Sequence, residues 1–337
     1  MVEKVYSFKQ VTEEVLESLV GCHKIGTHSG THHLDEVCSV VLLTLLPRFA
    51  SSVVIRHRDD AILDKCDIVV DVGGIYDPVK NRFDHHQKEF GEYWSETQTA
   101  TRLSSAGLVW KHFGKEVLVQ LLGDAKSVDA KSVDESKLGQ LQQVTYDLVF
   151  ESVDAGDNGV RSCTCTPDRI KYTGSLPGLA GLVGSFNASW IEAHNESEGF
   201  KNACAEAQQH LLPIITQIAS QWFAALDHFS QAERLLLGGD KCVLLLTKYV
   251  RFSKFLPYMK PHLKNSAPVV GCVWEEFGVW CYSYTPEPWK VVHHSEGSRP
   301  CKTRDQAVED LKNLTLHNKC GAALLSKDAP PPSDCPS

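Results

Sequence analysis

Asp84, His85 and His86 stand side by side in "FDHHQKEF". Adjacent imidazoles repel when both are charged, and neighbouring strand residues point to opposite faces, so neither pairing nor packing calls for this triplet. A metal ion or a phosphate does. Similar residues recur along the first half of the chain. His28, His32, His33 and Asp35 lie in "GTHSGTHHLDE", Asp71 closes "DIVVDVGG", and Asp154 and Asp157 stand in "VDAGDNG". Carboxylates mixed with imidazole and free of thiolate suit Mn²⁺, Mg²⁺ or another hard divalent ion better than structural zinc. The supply, with more carboxylate than one ion needs, fits two ions sharing a bridging Asp. Such pairs clamp the attacking and leaving oxygens of phosphoryl transfer and acidify a water near neutral pH. Taken singly, each group has a plainer explanation, an exposed polar turn or a capped loop. Their succession along one chain favours the metal.

The elements around these residues supply the means of bringing them together. "CHKIGTHSG" reads as a short strand entering a glycine loop, and "LDEVCSVVLLTLLP" as a buried helix with Asp35 and Glu36 in its first turn, where the dipole favours acids. "SSVVIRHRDD" and "CDIVVDVGG" contain Val- and Ile-rich runs typical of strands buried on both faces. Helices are expected from about Val11, over "LSSAGLVWKHFGKEVLVQLLG" and over "LGQLQQVTYDLVFESV", with "VDAGDNG" following the last. The alternation predicts an α/β fold with a mostly parallel sheet flanked by helices. Open sheets of this kind bind ligands at the carboxyl ends of their strands, where these acids and histidines fall.

A Gly- and Ser-rich stretch, "YTGSLPGLAGLVGSFNASW", marks a change of domain. An amphipathic pattern runs from about Glu198 to Leu237, and "KCVLLLT", "APVVGCVWEEF" and "GVWCYSYTP" read as strands of a smaller α/β domain. The expected organisation is a metal-binding domain over 1–190, connecting helices over 191–236, a substrate-binding domain over 237–326 and a disordered Pro-rich tail over 327–337. The doubled pentad DAKSV-DAKSV reads as a surface insertion without chemistry.

Bulk properties narrow the class. With 337 residues, 42% hydrophobic and 23% charged, the chain resembles an ordinary globular protein. Its formal charge of −8 argues against broad coating of nucleic acid, though not against a local basic groove. No apolar run approaches a membrane span. The first 20 residues carry four glutamates and neither a secretory core nor an Arg-rich transit composition, so an intracellular protein of cytoplasm or nucleus is expected. The 12 cysteines include no C-x-x-C and are expected to be reduced.

The order H-x(4)-H-x-D, VVDVGG, DHH and D-x-x-D-N-G resembles that of the DHH phosphoesterase superfamily. "IGTHSGTHHLDE", "RHRD", "CDIVVDVGGIYDP", "RFDHHQKEF", "TRLSSAGLVWKHFG" and "VDAGDNG" are more narrowly similar to the MYG exonuclease family. The likeness is strong over about residues 22–160 and weaker beyond. It implies a manganese-dependent 3′–5′ RNA exonuclease with two ions, acting on a single-stranded 3′ end, with mitochondrial and nuclear roles in some members. It further implies His28, His33 and Asp35 as metal ligands, Asp71 as the bridge, Asp84 as the residue orienting the histidine pair, His85 as a ligand and His86 facing the scissile phosphate. Asp154 is implied as the final ligand, with Asp157 in reserve. His32 occupies a position usually aromatic or apolar in the family, which leaves His32 and His33 as alternatives.

The substrate is less determined. Relatives with this motif set also hydrolyse pyrophosphate and other small phosphoesters. Arg56 and Arg58 are candidate phosphate contacts. Arg251 and Lys254, interleaved with aromatics in "KYVRFSKFLPYMKPHLK", could follow a strand's phosphates while bases stack beside them, or form a solvated face over a packed one. Where the family carries a C-terminal glycine-rich motif, this chain has "CGAALLS", which keeps a metal-stabilised, non-enzymatic scaffold as a further alternative.

Overall fold

The computed structural model of the chain describes residues 4–125, 134–160, 178–188, 195–238, 241–248, 250, 255, 258, 269–276, 279–284, 299–301, 303–309 and 311–312. Arg251, Lys254 and the Pro-rich tail over 327–337 lie outside the described residues, as does most of the doubled pentad. Two compact units divide at Ser220/Gln221.

The first unit is built on a six-stranded sheet. In chain order it contains β1 (Val5–Ser7), α1 (Glu13–Ser18), β2 (Lys24–Thr27), α2 (Leu34–Thr44), β3 (Val53–Arg56), α3 (Asp60–Leu63), β4 (Ile68–Val70), β5 (Tyr76–Asp77) and β6 (Arg82–Phe83). The strand order is β1-β3-β2-β4-β6-β5, parallel except for β5 at the edge. The α/β architecture with a mostly parallel sheet is therefore the observed one. The β3 and β4 side chains are buried throughout, as the runs VVIR and IVV imply for strands covered on both faces. In register, Ile25 stands beside Val54 on one side and Ile68 on the other. β1 was not expected. Its three residues, VYS, are too short to show a period, and the strand exists through its parallel pairing with Val54–Arg56.

A small hairpin, β7 (Tyr93–Ser95) and β8 (Gln98–Arg102), leads into α4 (Ser105–Ala125). α5 (Glu135–Thr145) passes through a π-helical turn, Tyr146–Phe150, directly into α6 (Glu151–Asp157). Asp154 and Asp157 thus sit on the last turns of a helix instead of in the loop after it. α2 is buried from Asp35 to Thr44 and packs on α4. α7 (Leu179–Gly184) follows, and α8 (Glu196–Gln231) carries the chain onward, with Pro213 inside it.

The second unit contains β9 (Glu233–Gly238), β10 (Lys241–Leu246), β11 (Val269–Glu276), β12 (Val279–Tyr284) and β13 (Arg299–Cys301), in the order β13-β12-β11-β10-β9. Among its described strands, only β10 and β11 pair in parallel. Val243, Val273, Ala307 and Leu311 form one buried apolar cluster in it. The amphipathic pattern expected as helix to Leu237 ends at Gln231, and the next residues form β9. The run "ERLLLG" can satisfy a helix period or a strand, and antiparallel pairing with β10 decides it. Among the described residues, no helix is long and apolar enough to cross a membrane.

Candidate metal centre

β2, β4 and β6 are adjacent and parallel, so their carboxyl ends lie side by side. Each end delivers one group: His28 after Thr27, Asp71 after Val70, and Asp84–His86 after Phe83. The amino end of α2 brings Asp35 and Glu36, whose carboxylates the helix dipole favours.

Asp71 stands at the middle. It has φ 62°, in the left-handed region, which Asp tolerates better than most residues at a cost of about 1–3 kcal/mol. This conformation turns the chain sharply out of β4. The following Gly73 and Gly74 also have positive φ, and the Gly74 N–H donates to Asp84 Oδ2 at 2.6 Å. Asp71 Oδ2 lies 3.3 Å from His28 Nε2, while Oδ1 lies 3.1 Å from His85 Nε2. The two oxygens of one carboxylate thus face different histidines.

Around it, His28 Nε2 is also 3.2 Å from Glu36 Oε1. The backbone N–H of His33 donates to both Glu36 oxygens, and the His33 ring lies 5.8 Å from that of His28. His85 Nε2 is 3.3 Å from Asp157 Oδ2 and 3.8 Å from Asp35 Oδ2. Asp84 is turned differently. Its Oδ1 accepts from the His85 N–H and lies 2.7 Å from His86 Nδ1, leaving the His86 side chain 62% exposed. These atoms form three groups close enough to hold metal: His28, His33, Glu36 and Asp71; Asp71, His85 and His86; Asp35, His85 and Asp157. Asp71 belongs to two of them.

The buried acids and imidazoles perturb one another. Burial, with Asp71, Glu36 and Asp157 nearby, pushes the Asp35 carboxyl well above its usual range. Burial pulls His28 down, but Asp71 and Glu36 outweigh it and push the imidazole up to about 9. Burial would raise Asp71, yet His28 and His85 hold it well below the usual carboxylate range. Burial raises Asp157, partly offset by His85. Asp35 Oδ1 is buried without a hydrogen-bond partner, an uncompensated acceptor that a bound ion would satisfy. The residues present fit a divalent centre.

The groups open onto a cavity of about 1410 Å³, lined among others by His28, His33, Asp35, Arg58, Asp71, His85, His86, Lys88, Arg102 and Asp157. The remaining candidates have partners of their own. Asp154 is fully buried, and its carboxylate accepts from the Ser104 N–H and hydroxyl, the Gly107 N–H and the Tyr146 hydroxyl at 2.6–3.1 Å. Burial pushes it up to about 6 despite these donors. His32 Nε2 lies 3.1 Å from the Val183 carbonyl, and its backbone exchanges hydrogen bonds with Asn187. Arg56 is buried, donating to Glu196 and the Gly30 carbonyl with its guanidinium 4.4 Å from the Phe200 ring centre. Arg58 donates to the Ser29 carbonyl and lies 3.2 Å from His28 Nδ1. Glu36 and Ser105, whose hydroxyl donates to Asp35 at 2.9 Å, escaped the sequence reading. An acid in a helix's first turn and a serine at a helix start have ordinary explanations, so neither carried a distinguishing signal.

Residues 24–290 match the family model described as "Uncharacterised protein family (UPF0160)", labelled MYG1 exonuclease. The chain belongs to the MYG1 family. A human MYG1 exonuclease is 38% identical over 302 residues, 86% of this chain and 78% of the relative. Its mouse counterpart is 37% identical over 308 residues, covering 88% and 78%. A Schizosaccharomyces pombe MYG1 protein is 31% identical over 315 residues, covering 86% and 88%. The MYG1 match spans the strand ends and helix termini that form the cavity.

Proposed function

We propose that this chain is a manganese-dependent phosphodiester hydrolase of the DHH phosphoesterase type, acting as a 3′–5′ exonuclease on RNA. The observation that carries the reading is Asp71, whose two oxygens face His28 at 3.3 Å and His85 at 3.1 Å. A carboxylate so shared is what a bridge between two ions requires. His28, His33 and Asp71, with Glu36 beside them, would hold one ion; Asp71, Asp35, His85 and Asp157 would hold the other. When bound, the ions supply Lewis-acid charge to the phosphoryl oxygens and to the attacking water.

The chain's own residues do the rest. Asp84 fixes the His86 ring through Nδ1, directing its other nitrogen away from that bond, and raises its pKa. His86 can thereby present a proton to a phosphate oxygen or leaving group. The cavity, at about 1410 Å³, has room for a nucleotide-bearing substrate. The relatives named exonuclease support the same class.

The test is digestion of 5′- and 3′-labelled RNA, with matched DNA and pyrophosphate, in Mn²⁺ and in chelator. Stepwise release of mononucleotides from the RNA 3′ end, abolished by chelator, is expected. Turnover of pyrophosphate alone would replace the exonuclease by a small-phosphoester hydrolase. Bound Mn²⁺ with no turnover of any substrate would leave a metal-stabilised scaffold.

A further inference from the structure

Of the cations nominated from sequence in the first unit, Arg56 is occupied within the fold, whereas Arg58 is exposed and lines the cavity beside His28. Arg56 is buried against Glu196, Gly30 and Phe200, and Arg58 braces Ser29 and His28. A strand substrate carries phosphates beyond the one at the reacting centre, and those need other partners. Arg102 and Lys88 line the same cavity as the acid–histidine groups, and neither makes an ion pair among the described residues. Arg102 is exposed, with one long contact from Nη1 to the Phe90 carbonyl at 3.5 Å.

Its backbone, by contrast, is fixed. The Arg102 carbonyl accepts from Asn158 Nδ2 at 3.0 Å, and the next N–H, of Leu103, donates to Glu92 at 3.0 Å. Asn158 follows Asp157, so β8 holds the base of this guanidinium in register with the helix end that faces His85. A guanidinium offers a planar fork that matches two phosphate oxygens, which an ammonium cannot do.

We propose that Arg102, assisted by Lys88, binds the backbone phosphate next to the scissile one and so determines that the substrate is a polynucleotide strand. This rests on the phosphodiesterase reading above. A small diester reaches only the acid–histidine groups, whereas a strand also reaches Arg102.

The experiment compares full-length wild type, Arg102→Ala and Arg102→Lys in Mn²⁺, on an oligoribonucleotide and on bis-p-nitrophenyl phosphate. Loss of one charge-assisted contact predicts about a tenfold rise in KM for the oligonucleotide in Arg102→Ala, with kcat changed far less. The corresponding effect on the small diester should be several-fold smaller, and Arg102→Lys should recover part of the loss. Binding of labelled oligonucleotide by anisotropy should show a salt slope shallower by about 0.7 in Arg102→Ala, the value for one single-strand phosphate. An unchanged KM and slope would overturn the assignment. So would equal losses on both esters, or loss of bound Mn²⁺, since these mark a structural role. Failure of the wild type on both esters would instead count against the phosphodiesterase reading, and anisotropy would still decide whether Arg102 contacts the strand.

Discussion

Asp154 and Asp157 lie one helical turn apart and meet opposite fates. Asp157 Oδ2 reaches His85 at 3.3 Å, whereas Asp154 is enclosed by Ser104, Gly107 and Tyr146. Asp157→Asn is therefore expected to weaken Mn²⁺ binding by tenfold or more while leaving folding largely intact. Asp154→Asn replaces an acceptor of several bonds by a group that must also donate, and should cost about 1–3 kcal/mol of stability. Metal titration and thermal unfolding of both variants separate the roles; greater loss of metal in Asp154→Asn would reverse them. The convergence of His28, His33, His85, His86 and Asp71 was legible from residue type and spacing, because strand-end acids and imidazoles have few other uses in such numbers. The choice between Asp154 and Asp157 was not, since both precede a glycine turn and only the partner helix distinguishes them. pH tests the centre independently. His28 is held at about 9 against 6.5 in the unfolded chain, so its stabilisation of ion-free protein is complete below pH 6.5 and lost as pH rises through 9. In chelator, melting temperature should fall over that interval, and added Mn²⁺, which takes the imidazole neutral, should raise it most near the upper end. A melting temperature in chelator that stays flat or rises from pH 6.5 to 9 would remove the His28–Asp71–Glu36 arrangement.

Among the helices, α4 ties the centre together. Its start supplies the Ser105 hydroxyl to Asp35 and the Ser104 and Gly107 N–H groups to Asp154. Gly107 has no freedom to grow, because a Cβ there would fall 2.3 Å from Asp154 Oδ2. Gly107→Ala should destabilise the protein by about 1–3 kcal/mol, lowering its melting temperature by several degrees. Asp154→Ala in the same chain should relieve the clash, so the double variant should lose less than the two single losses combined. Strict additivity would show that the helix start simply shifts aside. Sequence alone revealed α4, α2 and strands β2 to β4, whose apolar runs are long enough, or bounded clearly enough by glycine, to be recognised. It missed β1 and β9, which depend on a neighbour's edge more than on their own pattern. It also missed the π turn at Tyr146–Phe150, which keeps α5 and α6 continuous while Tyr146 stacks on Trp94 at 4.1 Å and donates to Asp154. Nothing in the local period announces an extra residue in a turn; packing on α4 and the hairpin selects it.

At the scale of the whole molecule, the candidate centre and its cavity belong to one unit. The atoms grouped around Asp71 come from His28 through Asp157, within Met1–Ser220, whereas β9 to β13 lie in Gln221–Ser337. A ligand stabilises what it binds by RT ln(1 + [L]/Kd), about 2.7 kcal/mol at a hundred times Kd. Mn²⁺ should therefore act on the two units unequally. Hydrogen exchange followed by peptide should slow in α2, the β4–β6 segment and α6 when Mn²⁺ is added, with little change over β10 and β11. The acids give the expected direction: Asp35 is crowded by Asp71, Glu36 and Asp157, so bound cations should benefit the elements that carry them most. Substituting Asp71→Asn should remove the protection in all three elements together, because both sides of the cluster share that carboxylate. Protection spreading evenly into β10 and β11 would show that the units open as one cooperative body. Protection confined to the second unit would place the ion outside the strand-end cluster altogether.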